Sequence, residues 1–484
     1  MKNKIVAILI LTAFILHSCA FEGTNVSPNN IVDAPINQQL SSLTVNIGFL
    51  AGSDLNRYSS LITQQYSGQT VGATTQTQFF EQFQIVGSDL NNVWSSLYAT
   101  ILNDAENIIR KSTATNSPHY SGVAKILKAY AYQITVDTWG RIPYSETQQL
   151  AANVKPKYDS DEVIYADLIN LLDQGIAEVN ATTSALSPGT NSTIYPGVFS
   201  VTKNNWIKFA NTLKLRLFLH YSEKNPNFAK SKIDALLNSS ASFFTSNADN
   251  FQMDFLDAAN ARNPIDQFET SRLGNLVVNA KLVGMMNTKA DPRRQFYFTQ
   301  LPANSGLYVG AVAGAPAGPG NYSKFHVYLR GAISGTVYSG AAPVRMQTFA
   351  EYNFIRAEAS LRFNSPGNAQ TFFQEGIRAS MLSAGVSTAD ITAYIATNGN
   401  LTGTDDKKLE QIINEKYIAS YGIVLEPWTD FRRTGYPVLT LPSNAIIPYF
   451  PRTLFYPQSE IDLNAENVSQ KAGMNVKVFW DTRP

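Results

Sequence analysis

The chain has 484 residues, 15% of them charged, with 38 Lys and Arg against 37 Asp and Glu, for a formal net charge of +1. That balance excludes the broad basic footprint of a general nucleic-acid binder, and 44% hydrophobic content excludes wholesale disorder. A single cysteine, Cys19, excludes an intramolecular disulfide and a thiolate zinc site.

The first element is a leader. Lys2 and Lys4 precede an apolar run from Ile5 to Leu16. The run is shorter than the ~20 residues that span a bilayer, but it fits the apolar core of a signal peptide. Leu16, His17 and Ser18 then precede Cys19, the pattern of a bacterial lipoprotein signal, although His17 stands where a small residue is usual. Cleavage after residue 18 leaves Cys19 as the lipid-bearing first residue. An ordinary signal peptide with an incidental cysteine is the plainer alternative. Residues 1–18 are thus read as signal and 19–38 as lipidated cysteine and polar tether, with Pro28 and Pro35. Residues 39–484 are read as one domain. No later stretch is apolar for long enough to cross a membrane.

Helical periodicity dominates the rest of the chain. Trp94, Leu97, Ile101 and Ile108 share one face, as do Val123, Ile126, Leu127, Tyr130 and Ile134, a helix that Gly140 and Pro143 end. Asp159 and Glu162 have capping-box spacing before a helix through Ile164, Leu168, Leu172 and Ile176. Further helices carry Trp206 to Leu217, Phe349 to Phe363, and Leu409 to Tyr417 with a stop at Gly422. Aromatic and small residues at helix-pair spacing predict an all-α, tetratricopeptide-like helical-pair scaffold without a strict repeat. Residues 53–91, 182–202 and 301–343 break the periodicity and read as long insertions, and the chain after Trp428 is Pro-punctuated and irregular.

Signatures of catalysis are missing. There is no GxxxxGK[ST] loop, no GxSxG elbow and no HExxH. His17, His119, His220 and His326 are scattered. Carboxylates such as Glu351 and Glu358, or Asp405 and Asp406, read as ion-paired or solvated helix residues. No metal or cofactor is expected, and no calcium loop is recognisable.

Six stretches, in order, carry a family resemblance: the lipobox at Cys19; WSSLYATILNDAENII (94–109); AKILKAYAYQITVDTWGRIPYSE (124–146) with PKYDSDEVIYADLINLLDQGI (156–176); WIKFANTLKLRLFLHYS (206–222); ADPRRQFYF (290–298); and EQIINEKYIASYGIVLEPWTDFRRTGYPVL (410–439) with PRTLFYPQSEIDLNAENV (451–468). The chain resembles the SusD/RagB nutrient-binding outer-membrane lipoproteins, in the SusD-like subgroup. The resemblance implies four helical pairs with a loop-rich irregular half packed on them. It also implies a lipid-anchored place on the outer face of the outer membrane, over a TonB-dependent SusC/RagA-like barrel. Such a protein captures glycans or other nutrients and is not an enzyme. Trp94, Tyr98, Trp139, Tyr144, Trp206 and Trp428 read as packing aromatics, and Arg432 and Arg433 as ties to the scaffold.

A sugar offers apolar C–H faces and hydroxyl edges, so binding it requires flat aromatic rings beside amide or charged groups. Two insertions hold that mixture. The first has Arg57, Tyr58, Gln64, Gln65, Tyr66, Gln78, Phe79, Phe80 and Gln82; the second has Asn304, Tyr308, Asn321, Tyr322, Tyr328 and Tyr338. Arg57, Tyr58, Gln64, Tyr66, Phe79, Phe80, Tyr308, Asn321, Tyr322, Tyr328 and Tyr338 are the candidate ligand residues. The plainer reading is that these rings anchor the loops. A surface adhesin or scaffold lipoprotein, and a surface glycan hydrolase, are the alternatives from other classes.

Overall fold

The computed structural model describes residues 34–149, 152–315 and 318–484. Cys19, the signal segment and most of the tether lie outside them. Helix α1 (Ile36–Gly52) begins within the last three positions assigned to the tether.

The first half continues with α2 (Asp54–Ile62), α3 (Gln76–Glu81), α4 (Asn91–Ser95), α5 (Asn103–Ala114), α6 (Pro118–Trp139), α7 (Asp161–Val179), α8 (Phe199–His220) and α9 (Pro226–Leu237). The second half has α10 (Pro264–Ser271), α11 (Ala280–Thr288), α12 (Arg294–Tyr297), α13 (Val327–Arg330), α14 (Phe349–Phe363), α15 (Ala369–Ala384), α16 (Thr388–Asn398), α17 (Asp405–Ala419), α18 (Glu426–Thr434) and α19 (Gln458–Leu463). The strands among the described residues are short and form two-stranded antiparallel pairs. In chain order the first five are β1 (Tyr66–Gly68), β2 (Ile142–Pro143), β3 (Tyr158–Asp159), β4 (Phe251–Met253) and β5 (Leu276–Val278), and the pair of β1 with β5 bears on the site. The expected all-α class and helical-pair scaffold are what the structure has.

Neighbouring helices pack in sequence: α5 on α6, α6 on α7, α7 on α8, α8 on α9, and α14 on both α15 and α17. Two glycines set the tightest approach. A Cβ at Gly122 would stand 2.7 Å from the Gly175 carbonyl oxygen, and one at Gly175 would stand 2.8 Å from Ile126. Only hydrogen fits at either position, so α6 and α7 meet backbone to backbone. Helix α6 stops where the sequence predicts, at Gly140 with φ +76°, and α14 has the predicted bounds. The predicted capping box before α7 does not form. Ser160 is the N-cap residue, and Asp159 instead accepts the Ser145 N–H at 2.7 Å. A short strand pair, Ile142–Pro143 with Tyr158–Asp159, holds it there. The single helix predicted through Trp94 and Ile108 has a π-helical turn at Ser96–Leu102 between α4 and α5. Helix α8 starts at Phe199, inside the insertion read as 182–202.

The helices are fastened to one another by charge, and one arginine ties them to the C-terminal segment. Arg216 on α8 forks onto Glu351 on α14 through Nε and Nη2, both at 2.7 Å. Lys416 on α17 meets Glu426 at 2.7 Å and Asp430 at 2.8 Å, both on α18. Arg433 bonds Glu358 and Asp430. Arg432 donates to the carbonyls of Asp137 and Arg452 at 2.7 and 2.6 Å, with its guanidinium between the rings of Trp428 and Trp480. The ion-paired side chains are all buried, so each bond forms where water does not compete for it.

Candidate ligand-binding face

The two insertions singled out in the sequence come together. The first contains more helix than its Ser, Thr and Gln content predicts: α2 and α3 both lie in it. The Thr75 hydroxyl caps α3 by accepting the Gln78 N–H at 3.3 Å. Strand β1 pairs with β5, and β5 leads the second insertion in, since the Ala311 N–H donates to the Val278 carbonyl at 2.9 Å. Glu81 joins three segments: it accepts from the Ser67 hydroxyl at 2.6 Å and from the Gly314 N–H at 3.4 Å. The Gly314 carbonyl in turn accepts from Ser443 at 3.1 Å. Gly274 lies between Pro319 and Val71, and a Cβ there would reach 2.8 Å from Pro319.

A third segment, 438–450, completes this face. Its Ile446 N–H donates to the Gln82 carbonyl at 3.0 Å, Gln64 donates to the Thr440 carbonyl, and Phe450 packs on Phe83 at 5.5 Å. The sequence carried a signal for it: Tyr449 and Phe450 lie between Pro448 and Pro451, in an otherwise irregular stretch.

Most of the candidate ligand residues lie beneath this face, not on it. Tyr66, Tyr308 and Tyr328 are buried in an aromatic cluster around Tyr421. Tyr66 lies 4.5 Å from Phe325 and 5.9 Å from Tyr421, Tyr328 is 4.5 Å from Tyr297, and Tyr308 is 6.3 Å from Phe298. Tyr338 is buried under the Arg330 guanidinium at 4.1 Å, with its hydroxyl 2.7 Å from His326 Nδ1. Tyr58 and Phe80 are buried and pack edge to face at 4.7 Å. Gln64 is buried and ties down the third segment, and Arg57 is bonded to Asp54 and stacked on Phe268 at 4.3 Å. These groups hold the loops through large apolar contact area, which is the usual use of a buried ring. The exposed remainder is Phe79, 38% accessible, Asn321, and the half-buried Tyr322, whose hydroxyl bonds the Ala315 carbonyl at 3.4 Å. Val71, Val312 and Ile446 add apolar surface around them.

Burial holds two carboxyls toward their protonated form. Burial pushes Glu81 up to about 7, against the pull of the Ser67 hydroxyl. Burial pushes Glu269 on α10 up to about 8, against Arg330 and Lys324. Among the described residues, no group of three or more His, Cys, Asp or Glu is arranged to hold a metal ion, and no helix is long and apolar enough to cross a membrane. Glu351 and Glu358 are ion-paired, as predicted.

The family SusD-like_2, described as "Starch-binding associating with outer membrane", matches residues 28–457. Similar solved structures include a chitin-binding protein at 25% identity and TM-score 0.79, covering 93% of this chain and 100% of that one. A chitin-binding SusD homolog from Flavobacterium johnsoniae aligns at 24% identity and TM-score 0.75, covering 93% and 98%. A SusD-like protein from Bacteroides thetaiotaomicron aligns at 25% identity and TM-score 0.76, covering 93% and 99%. No curated protein matches the sequence.

Proposed function

The chain belongs to the SusD-like family, and from that premise we propose that it is a glycan-binding protein. It is lipid-anchored through Cys19 on the outer face of the outer membrane, and it passes its ligand to a TonB-dependent SusC-like barrel. The family's description and the chitin-binding relatives support the ligand class. The observation that carries the reading is the accessible ring of Phe79 on α3 and the half-buried ring of Tyr322, on insertions that meet at Glu81 and Gly314. An aromatic ring supplies a flat surface for a sugar's C–H face, and the neighbouring Asn321 and Gln76 amides supply donors and acceptors for hydroxyls.

The test is affinity for neutral oligosaccharides, chito-oligosaccharides first, measured by titration calorimetry. The Phe79→Ala/Tyr322→Ala variant is expected to bind about tenfold more weakly, because each stacking contact contributes about 0.5–1.5 kcal/mol. Unchanged affinity in a folded variant would remove the ligand from this face.

A further inference from the structure

Beside this face lies a pocket of about 520 Å³, within the roughly 300–1,000 Å³ that holds small organic ligands. It opens between the end of α18, the 438–450 segment and the C-terminal tail. Its walls are apolar and aromatic: Phe431, Leu439, Tyr449 and Phe450. Phe431 and Phe450 pack edge to face at 5.0 Å, and Phe83 backs Phe450 from below. These rings are therefore fixed before any ligand arrives.

The rim is different in kind. It carries Arg452, Asn475, Lys477 and Arg483, with Pro484 beside them. Arg452 is already paired with Asp481. Lys477 and Arg483 have no carboxylate within ion-pair distance among the described residues; Lys477 donates to the Arg483 carbonyl, and Arg483 Nη1 donates to the Thr434 carbonyl at 2.6 Å. The Arg483 guanidinium lies against Gly435, where any Cβ would collide with it. Gly435 has φ +81° and caps α18, so the guanidinium lies directly on the backbone that ends the helix. The guanidinium is thus tied to the end of α18 on one side, and the residue is exposed at the pocket's edge.

We infer that this pocket is a binding site for an acidic saccharide unit, a sugar bearing a carboxylate or a sulfate ester, with its ring against Tyr449 and Phe450 and its anion between Lys477 and Arg483. Charge complementarity favours the anion, because an acidic unit makes charge-assisted bonds to the two exposed cations that a neutral sugar does not. The pocket shares the 438–450 segment with the face at Phe79 and Tyr322, but neither of those two rings lines it.

The experiment titrates the full chain with tetragalacturonate, with a sulfated disaccharide and with a neutral tetrasaccharide. At least one acidic probe is expected to bind, more weakly as salt rises, and which of the two binds distinguishes carboxylate from sulfate. The Lys477→Gln/Arg483→Gln variant is expected to lose about tenfold or more in affinity for that probe and to keep its affinity for the neutral one. Tyr449→Ala, which leaves the tail's hydrogen bonds in place, is expected to weaken the acidic probe as well. The inference is overturned if neither acidic probe binds, if both variants fold and bind it unchanged, or if the neutral sugar loses as much. Phe79→Ala/Tyr322→Ala is expected to leave the acidic probe unaffected, so failure of one site is read apart from failure of the other.

Discussion

Glu269 is buried, and neither of its carboxyl oxygens meets a hydrogen-bond partner among the described residues. Burial raises its folded pKa to about 8, and that of Glu81 to about 7, from an ordinary 4.5. A raised carboxyl binds its proton more tightly in the folded chain. Its contribution is therefore complete below the unfolded value and is lost as pH rises through about 7 to 8. Glu358 acts in the opposite sense. Burial pushes it up, but Arg433 and Arg362 prevail and hold it at about 2. Its contribution is present above about 4.5 and is lost only as pH falls toward 2. The melting temperature is accordingly expected to decline from about pH 5 to about pH 9. Glu269→Gln is expected to flatten that decline, measured by thermal unfolding across the range. A slope unchanged in Glu269→Gln would assign the decline to other groups.

Among the elements, the α6–α7 pair decides how closely the scaffold packs. Replacing Gly122 by Ala gains about 1 kcal/mol of helix propensity. The new methyl, however, would stand 2.7 Å from the Gly175 carbonyl oxygen and from the Val179 nitrogen, and both are backbone atoms that cannot turn aside. Forcing such overlap costs about 1–3 kcal/mol, so the clash outweighs the propensity. Gly122→Ala is expected to lower stability in denaturant unfolding, whereas the same change at Gly284, with open space around it, is expected to raise it slightly. Helix termini were legible in the sequence where a glycine or a helical stripe marked them, as at Gly140 and over Phe349–Phe363. They were not legible at α2, α3 and the Ser160 cap. There, polar residues form helix or strand because partners distant in the chain bury them.

For the whole molecule, the proposed role makes two demands that the fold alone does not display: an anchor and a partner. Cys19→Ser is expected to release the protein from the membrane fraction, since the proposed anchor is the acyl group on Cys19 and no helix among the described residues is long and apolar enough to cross a membrane. Gentle extraction of the unaltered protein is expected to bring a TonB-dependent barrel with it. A protein extracted alone, with the anchor intact, would count against delivery and for a free-standing surface binder. Fractionation and mass spectrometry of the extract read both outcomes.

By itself the sequence determined the all-α scaffold, the family and the structural use of the tryptophans and of Arg432 and Arg433. Periodicity and motif order are local properties, and a chain displays them without folding. It also marked the two insertions that meet at one face. Only the tertiary structure decided which of their rings are accessible. Tyr66 and Phe79 lie in the same insertion and offer the same chemistry, but Tyr66 packs under Tyr421 and Phe79 stays at the surface. That difference comes from β1 pairing with β5 and from segments hundreds of residues apart closing over one ring and not the other. The pocket between α18 and the tail is decided in the same way, by the end of the helix, the 438–450 segment and the tail coming together.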